Sequence, residues 1–252
     1  MSKKKLKKQI FDLLKSLKIN KGDNVIIHSN LAGIYQFYKK FNNKSTNFFF
    51  LKTLTQYIGK QGTLLVPSYN FDFTKGKTYD RSKSISHVGS FGTFLIEKFY
   101  KQRTFEPTFS HFVFGRLKKE VFNCQINEAF GQNSIFKLIQ KNNFKILCFC
   151  CSPARMTFLH YIEKESKVSY RFNKYFNSKI KFNNVEKKIK FKYYAGKKKI
   201  DYTIKEKNIL KCLKNNLEIS NFGRFSSSSI SARKLYFIIK KKLENNNYSL
   251  IE

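Results

Sequence analysis

Two changes of hydrophobic period within the first seventy residues restrict this chain more than any other feature. From Lys4 to Lys18, the residues Leu6, Ile10, Leu13, Leu14 and Leu17 share one face of a helix, with lysines opposite. After the Gly22-Asp23 turn, Val25-Ile26-Ile27 makes an unbroken apolar run, so Asn24 to His28 reads as a strand buried on both sides. Ser29-Asn30-Leu31 follows as a loop. Ser45 or Thr46 supplies an N-cap for a helix over 47–57, closed by Gly59, and 62–66 is a second strand stopped by Pro67. Helix, strand, loop, helix, strand is α/β patterning: a central mixed β-sheet with helices on both faces.

The remaining pattern extends this reading. Helices are expected over 90–101, 134–141, 156–165, 202–215 and 231–244, and strands over 109–115 and 145–150. Residues 178–195 alternate as a β-hairpin around Asn183-Asn184. Residues 68–89 form a long polar loop, and its aromatics (Tyr69, Phe71, Phe73, Tyr79) favour an ordered one. The serine run Ser226 to Ser229 reads as a loop before the last helix.

Several classes are set aside at once. No run of 18 apolar residues is present, so no membrane-spanning helix is expected. The basic N-terminus is followed by Asp12, Lys15 and Lys18 rather than an apolar segment, which predicts a cytoplasmic protein. The five cysteines read as reduced structural thiols, and no metal site is expected. The net charge of +34 invites a polyanion partner. Yet lysine recurs from Lys3 to Lys242 together with abundant Asn, Ile, Phe and Tyr, the signature of AT-rich codon usage rather than of one binding face. No specific nucleic-acid partner is therefore expected.

Four histidines carry the available acid–base chemistry. His160 and Glu163 lie three apart on an expected helix and so share a face. A carboxylate there orients an imidazole for general-base work, although an ordinary surface pair has the same spacing. His28 ends a buried strand, where α/β sheets bind ligands. His87 and His111 read as supporting residues. No Walker loop, dinucleotide fingerprint or nucleophile elbow is present.

The order of these segments resembles the aminoglycoside 3-N-acetyltransferase family, also called antibiotic N-acetyltransferases, from about Ile19 to the C-terminus. Gly22 to Leu31 resembles the family's GD-hydrophobic-HSSL opening, Gly62 to Ser68 its GTL…P strand, Ser86 to Gly89 its helix start, and Thr157 to Glu163 its TxLHxxE segment. One stretch departs. Where the resistance enzymes carry Arg-Ser-x-His-Pro-x-x-Ser, this chain has Arg103 to Ser110 with Glu106 in the histidine's place. That departure points away from classical resistance and toward relatives acting on surface-glycan precursors, which Tyr69 to Phe73, Tyr79-Asp80 and Tyr170 to Phe172 also resemble.

The resemblance implies a single acetyltransferase domain over 1–252, with an N-terminal amphipathic helix over 1–18, and direct acetyl transfer from acetyl-CoA to an amine. His160 would be the general base and Glu163 its support. Ser29, Asn30, Leu31, Ser68, Val88 and Ser110 are the candidate coenzyme contacts. Asp72, Asp80 and Glu106 are the candidate acids that receive the substrate amine. The expected acceptor is an amino sugar, nucleotide-linked or a glycan precursor; aminoglycoside resistance is the alternative, and a non-catalytic scaffold or polyanion binder the alternative of another class. Peripheral contact with an anionic membrane and a homodimer are carried as partner expectations.

Overall fold

The computed structural model describes residues 2–37, 43–183 and 185–252, so Asn184 at the expected hairpin turn lies outside the described residues. The amphipathic segment forms helix α1 (Lys3–Ser16), capped by the Ser2 side chain, with Leu6, Ile10, Leu13 and Leu14 buried. The apolar run becomes strand β1 (Asn24–Ser29), followed by a short helix α2 (Ala32–Tyr35), helix α3 (Asn43–Ile58) and strand β2 (Thr63–Pro67). Helix α4 (Gly89–Phe99), strand β3 (His111–Gly115), helices α5 (Lys118–Phe122) and α6 (Ile135–Lys141), strand β4 (Lys145–Phe149) and helix α7 (Phe158–Glu165) come next. Strands β5 (Arg171–Phe182) and β6 (Val185–Gly196) form a long two-stranded arm. Helix α8 (Glu206–Leu213), strands β7 (Glu218–Phe222) and β8 (Phe225–Ser231) and helix α9 (Ala232–Asn245) complete the order.

Six strands make one mixed sheet in the order β3-β2-β1-β4-β8-β7. The central β2, β1 and β4 run parallel, and the outer strands are antiparallel. Alternation along the central strands feeds two cores. Ile26, Leu65, Ile146 and Cys148 face one, covered by α6, α7, α8 and α9. Val25, Ile27, Leu64, Val66, Leu147 and Phe149 face the other, covered by α1, α3 and α4. Helices thus lie on both faces, as the patterning required. Among the described residues no helix is long and apolar enough to cross a membrane.

Two expectations are corrected. The serine run is not a loop: Ser226 to Ser229 lie within β8, paired antiparallel with β4. Serine has little strand preference of its own, but Ser227 to Ser229 are buried here, and backbone groups bond the Ser227 and Ser229 hydroxyls. The Ser229 hydroxyl donates to the Leu17 carbonyl beneath α1, and Ser227 Oγ accepts from the Cys150 amide at 2.9 Å. The helix expected over 202–215 is confined to α8. Residues 202–205 run without helix, and the Tyr202 ring covers the Arg171 guanidinium at 5.1 Å.

The long loop 68–89 is ordered by a buried cation. Arg103 is fully buried, and no carboxylate ion-pairs with it among the described residues. Its guanidinium donates to the carbonyls of Ser68 (2.7 Å), Ser84 (2.5 Å) and Arg81 (3.3 Å) and to Ser110 Oγ (3.0 Å). Carbonyl dipoles thereby replace the water the charge has lost. The expected consequence is that Arg103→Ala, which strands these acceptors, lowers unfolding free energy by about 3 kcal/mol. Urea denaturation followed by circular dichroism checks this, with protease cleavage between residues 72 and 88 increasing in parallel.

Candidate active site

The connection from β1 leaves toward β2 on one side, and the chain returns later as β4 on the other. Ligands in open α/β sheets bind where such connections diverge, at the carboxyl ends of the strands. A cavity of about 870 Å³ lies there. Its floor is the ends of β1, β2 and β4, from Ile27 to Leu31, at Val66 and Pro67, and from Cys150 to Ser152. Its rim holds the start of α4, the Thr157–His160 turn of α7, and Tyr193 of the arm.

The floor is tightly constrained. Cys150 takes a left-handed backbone (φ 54°) just past β4, and a Cβ on Gly33 would stand 2.2 Å from its thiol. Non-glycine residues hold such conformations only where the surroundings fix them. Gly89, at φ 85°, turns the chain into α4, so that the helix N-terminus borders the cavity. Burial holds His28 at about 4, well below the usual imidazole value, so it is neutral at physiological pH. His111 falls to about 3 through burial and the nearby His28, and contacts the Tyr69 hydroxyl at 3.3 Å.

His160 stands on α7 at the cavity wall, with its side chain about one third exposed. One turn on, Glu163 is fully buried. Its Oε2 lies 2.6 Å from His160 Nδ1 and 2.8 Å from Arg171 Nε, and its Oε1 accepts from the Tyr170 hydroxyl at 2.7 Å. Burial alone would favour the neutral acid, but His160, Arg171 and Tyr170 outweigh it and hold the carboxyl below the usual carboxylate value. The Arg171 guanidinium also lies 3.2 Å from Nδ1, but the carboxylate is nearer at 2.6 Å and only accepts, so it favours the tautomer of a neutral His160 with the proton on Nδ1 and the Nε2 lone pair free. The arrangement is an oriented base beside a cavity large enough for an extended co-substrate.

The candidate residues divide by position. Ser29, Asn30, Leu31, Val88 and His160 line the cavity. Ser68 and Ser110 are buried behind its wall, where the Ser110 hydroxyl bonds the Ser68 carbonyl and both bind Arg103. The three candidate substrate acids are not among the residues that line the cavity. Asp72 is paired with Lys75 and Lys77, and Asp80 caps its own turn through Ser82 and Ser84. Glu106 accepts from the Thr108 amide, the Thr108 hydroxyl and the Phe109 amide, and so fixes Phe109 in the cavity wall. Sequence reading passed over Tyr170 and Arg171 as site residues, because their reach to Glu163 depends on how the arm docks. It also passed over the aromatic wall of Tyr69, Phe71, Phe109 and Tyr193.

An α/β sheet with a cavity at its parallel-strand ends and a carboxylate-bound histidine on its wall has the form of an enzyme site. The family profile of aminoglycoside 3-N-acetyltransferase matches residues 26–244, and the chain belongs to that family. It is an acyltransferase, an N-acetyltransferase that uses acetyl-CoA as co-substrate. Solved structures agree on the fold. AAC-IIIb in binary complex with CoASH superposes with a TM-score of 0.79 at 14% identity, covering 95% of this chain and 96% of that one. YokD from Bacillus subtilis gives 0.78 at 16% identity, with 97% and 95% covered. AAC-VIa bound to sisomicin gives 0.77 at 17% identity, with 97% and 98% covered. Comparison with curated protein sequences gives no significant match.

Burial pushes the Glu106 carboxyl up to about 7 despite the donors from Thr108 and Phe109. The unfolded chain releases this proton near its ordinary value of 4.5 while the folded chain keeps it to about 7. Below 4.5 both states hold the proton; above 7 the full cost of the buried charge is present. Stability should therefore fall between these values by up to about 3 kcal/mol, and that part of the fall should vanish in Glu106→Gln. Denaturation midpoints of both proteins across pH 4 to 8 check it.

Proposed function

We propose that this enzyme acetylates the single amine of an amino sugar, free or within a glycan precursor, by direct transfer from acetyl-CoA in the cytoplasm, the whole of residues 1–252 acting as one domain. The observation that carries the acceptor class is the lining of the cavity: none of the described residues on it is Asp or Glu, and Arg155 is on it. A polycationic aminoglycoside would meet only carboxylates that are already shared, Glu163 with His160, Arg171 and Tyr170, and Asp72 with Lys75 and Lys77. An acceptor with one amine presents one charge, which it must lose to react. Nearby cations favour that loss.

In this reading Ser29, Asn30 and Leu31 and the α4 start at Val88-Gly89 hold the coenzyme. The exposed amides of the helix N-terminus suit its phosphates. The sugar lies against the aromatic wall of Phe109 and Tyr193, whose rings are stacked at 5.8 Å. His160 Nε2 takes the amine proton as the nitrogen lone pair attacks the thioester carbonyl. The tetrahedral oxyanion collapses and expels the CoA thiolate, which recovers a proton from the imidazolium. Glu163 carries the imidazolium charge between those steps, and Arg171 and Tyr170 keep Glu163 ionised and in place.

The kinetic expectation is that His160→Ala lowers kcat on an amino-sugar acceptor by about 10²- to 10⁴-fold. Acetyl-CoA affinity by isothermal titration should change little. Acceptors are compared by kcat/KM under the same conditions. Monoamino sugars should exceed aminoglycosides, and the reverse order would overturn the acceptor class while leaving acetyl transfer in place.

A further inference from the structure

The β5–β6 arm carries a feature that acetyl transfer does not use. Residues 171–196 hold eight cations against one acid, Glu186, which is twice the net charge density of the chain as a whole at +34 over 252 residues. Helices α1 and α9 are as densely cationic, but each presents its lysines along a single helix, whereas the arm sets them across a strand pair. The hairpin register sets Lys179 directly opposite Lys188 and Asn177 opposite Lys190. Like charges facing each other across a strand pair are destabilising. Lys179 is answered by Glu186 at 2.8 Å. Lys188 and Lys190 are exposed and have no carboxylate partner among the described residues. Lys190 is held over the Tyr175 ring at 4.9 Å, which fixes its position without neutralising it.

These lysines border a hollow of about 550 Å³, lined also by Thr78, Asn177 and Ser178. The Thr78 and Ser178 hydroxyls donate to Glu186 and to the Lys77 carbonyl, so the exposed Lys188 and Lys190 and the Asn177 amide are the groups open to a ligand. Tyr193, the arm's residue on the acetyl-CoA cavity, is three residues along β6 from Lys190, about 10 Å at strand spacing and on the other face of the arm, and the hollow and the cavity share no lining residue. We propose that the hollow is a second binding site, for a phosphate-bearing ligand of the diphosphate class, in which Lys188 and Lys190 supply the charge and Asn177 an amide contact. Bound phosphate relieves the cross-strand repulsion, because each ammonium then donates to a shared anion.

The test titrates the full-length enzyme with inorganic pyrophosphate at about 0.15 M salt, with CoA saturating so that the main cavity is filled. Isothermal titration should show one saturable site. The double variant Lys188→Gln/Lys190→Gln should weaken it by about tenfold or more, the loss of two charge-assisted contacts. Lys207→Gln/Lys211→Gln, with the same charge change on exposed positions of α8, should leave it within about twofold. CoA affinity, measured on each variant, reports separately on the fold and on the acetyl-CoA site. Absence of pyrophosphate binding by the CoA-loaded enzyme, or equal weakening by both pairs, would overturn the proposal.

Discussion

The buried carboxylate of Glu163 is the constraint on which the rest of the site depends. A charge without solvent survives only if its lone pairs are filled. Glu163 achieves this with groups from separate parts of the chain: His160 on its own helix, and Tyr170 and Arg171 at the root of the arm. The same contacts perform three tasks. They keep the carboxyl ionised, fix the imidazole tautomer, and fasten the arm to α7. Catalytic geometry and arm docking are therefore one structural fact, and a change at Tyr170 or Arg171 reaches the base without touching it.

Arg103 shows the opposite solution to the same problem. It is as deeply buried, yet it is satisfied by carbonyls and a hydroxyl rather than by an acid. Its work is to hold loop 68–89 against β3, which places the start of α4 over the strand ends. One buried charge is answered by an opposite charge beside the reacting centre; the other is answered by dipoles behind the wall.

The legible parts of the chain were those with a strong local signal. The run Val25-Ile26-Ile27, the periodic apolar face of α1 and the His160–Glu163 spacing need no tertiary information, and the elements formed where the pattern put them. Strand β8 was illegible because its serines are buried by contacts with Leu17 and Cys150, which are remote in sequence. Arg171 was illegible as a partner for the same reason. The positions of the candidate acids were not legible, because sequence states that a carboxyl is present but not which way its turn faces. Asp72, Asp80 and Glu106 all close their own local structure, and that local demand took precedence over the cavity.

The charge of the molecule acquires a different meaning once it is divided by place. The floor and walls of the reacting cavity are neutral or weakly cationic, with His28 kept uncharged by burial. The outer arm, like α1 and α9, is rich in lysine. An anionic co-substrate is drawn by the long-range field of such a surface, an effect that salt reduces. At the reacting nitrogen the same field acts in the opposite sense on the acceptor, because it repels an ammonium and favours the neutral amine that can attack. Positive charge thus assists both partners of the transfer, one by attraction and the other by deprotonation. Under the proposed reaction that double effect favours an acceptor with few amines, for which the electrostatic cost of approach is small.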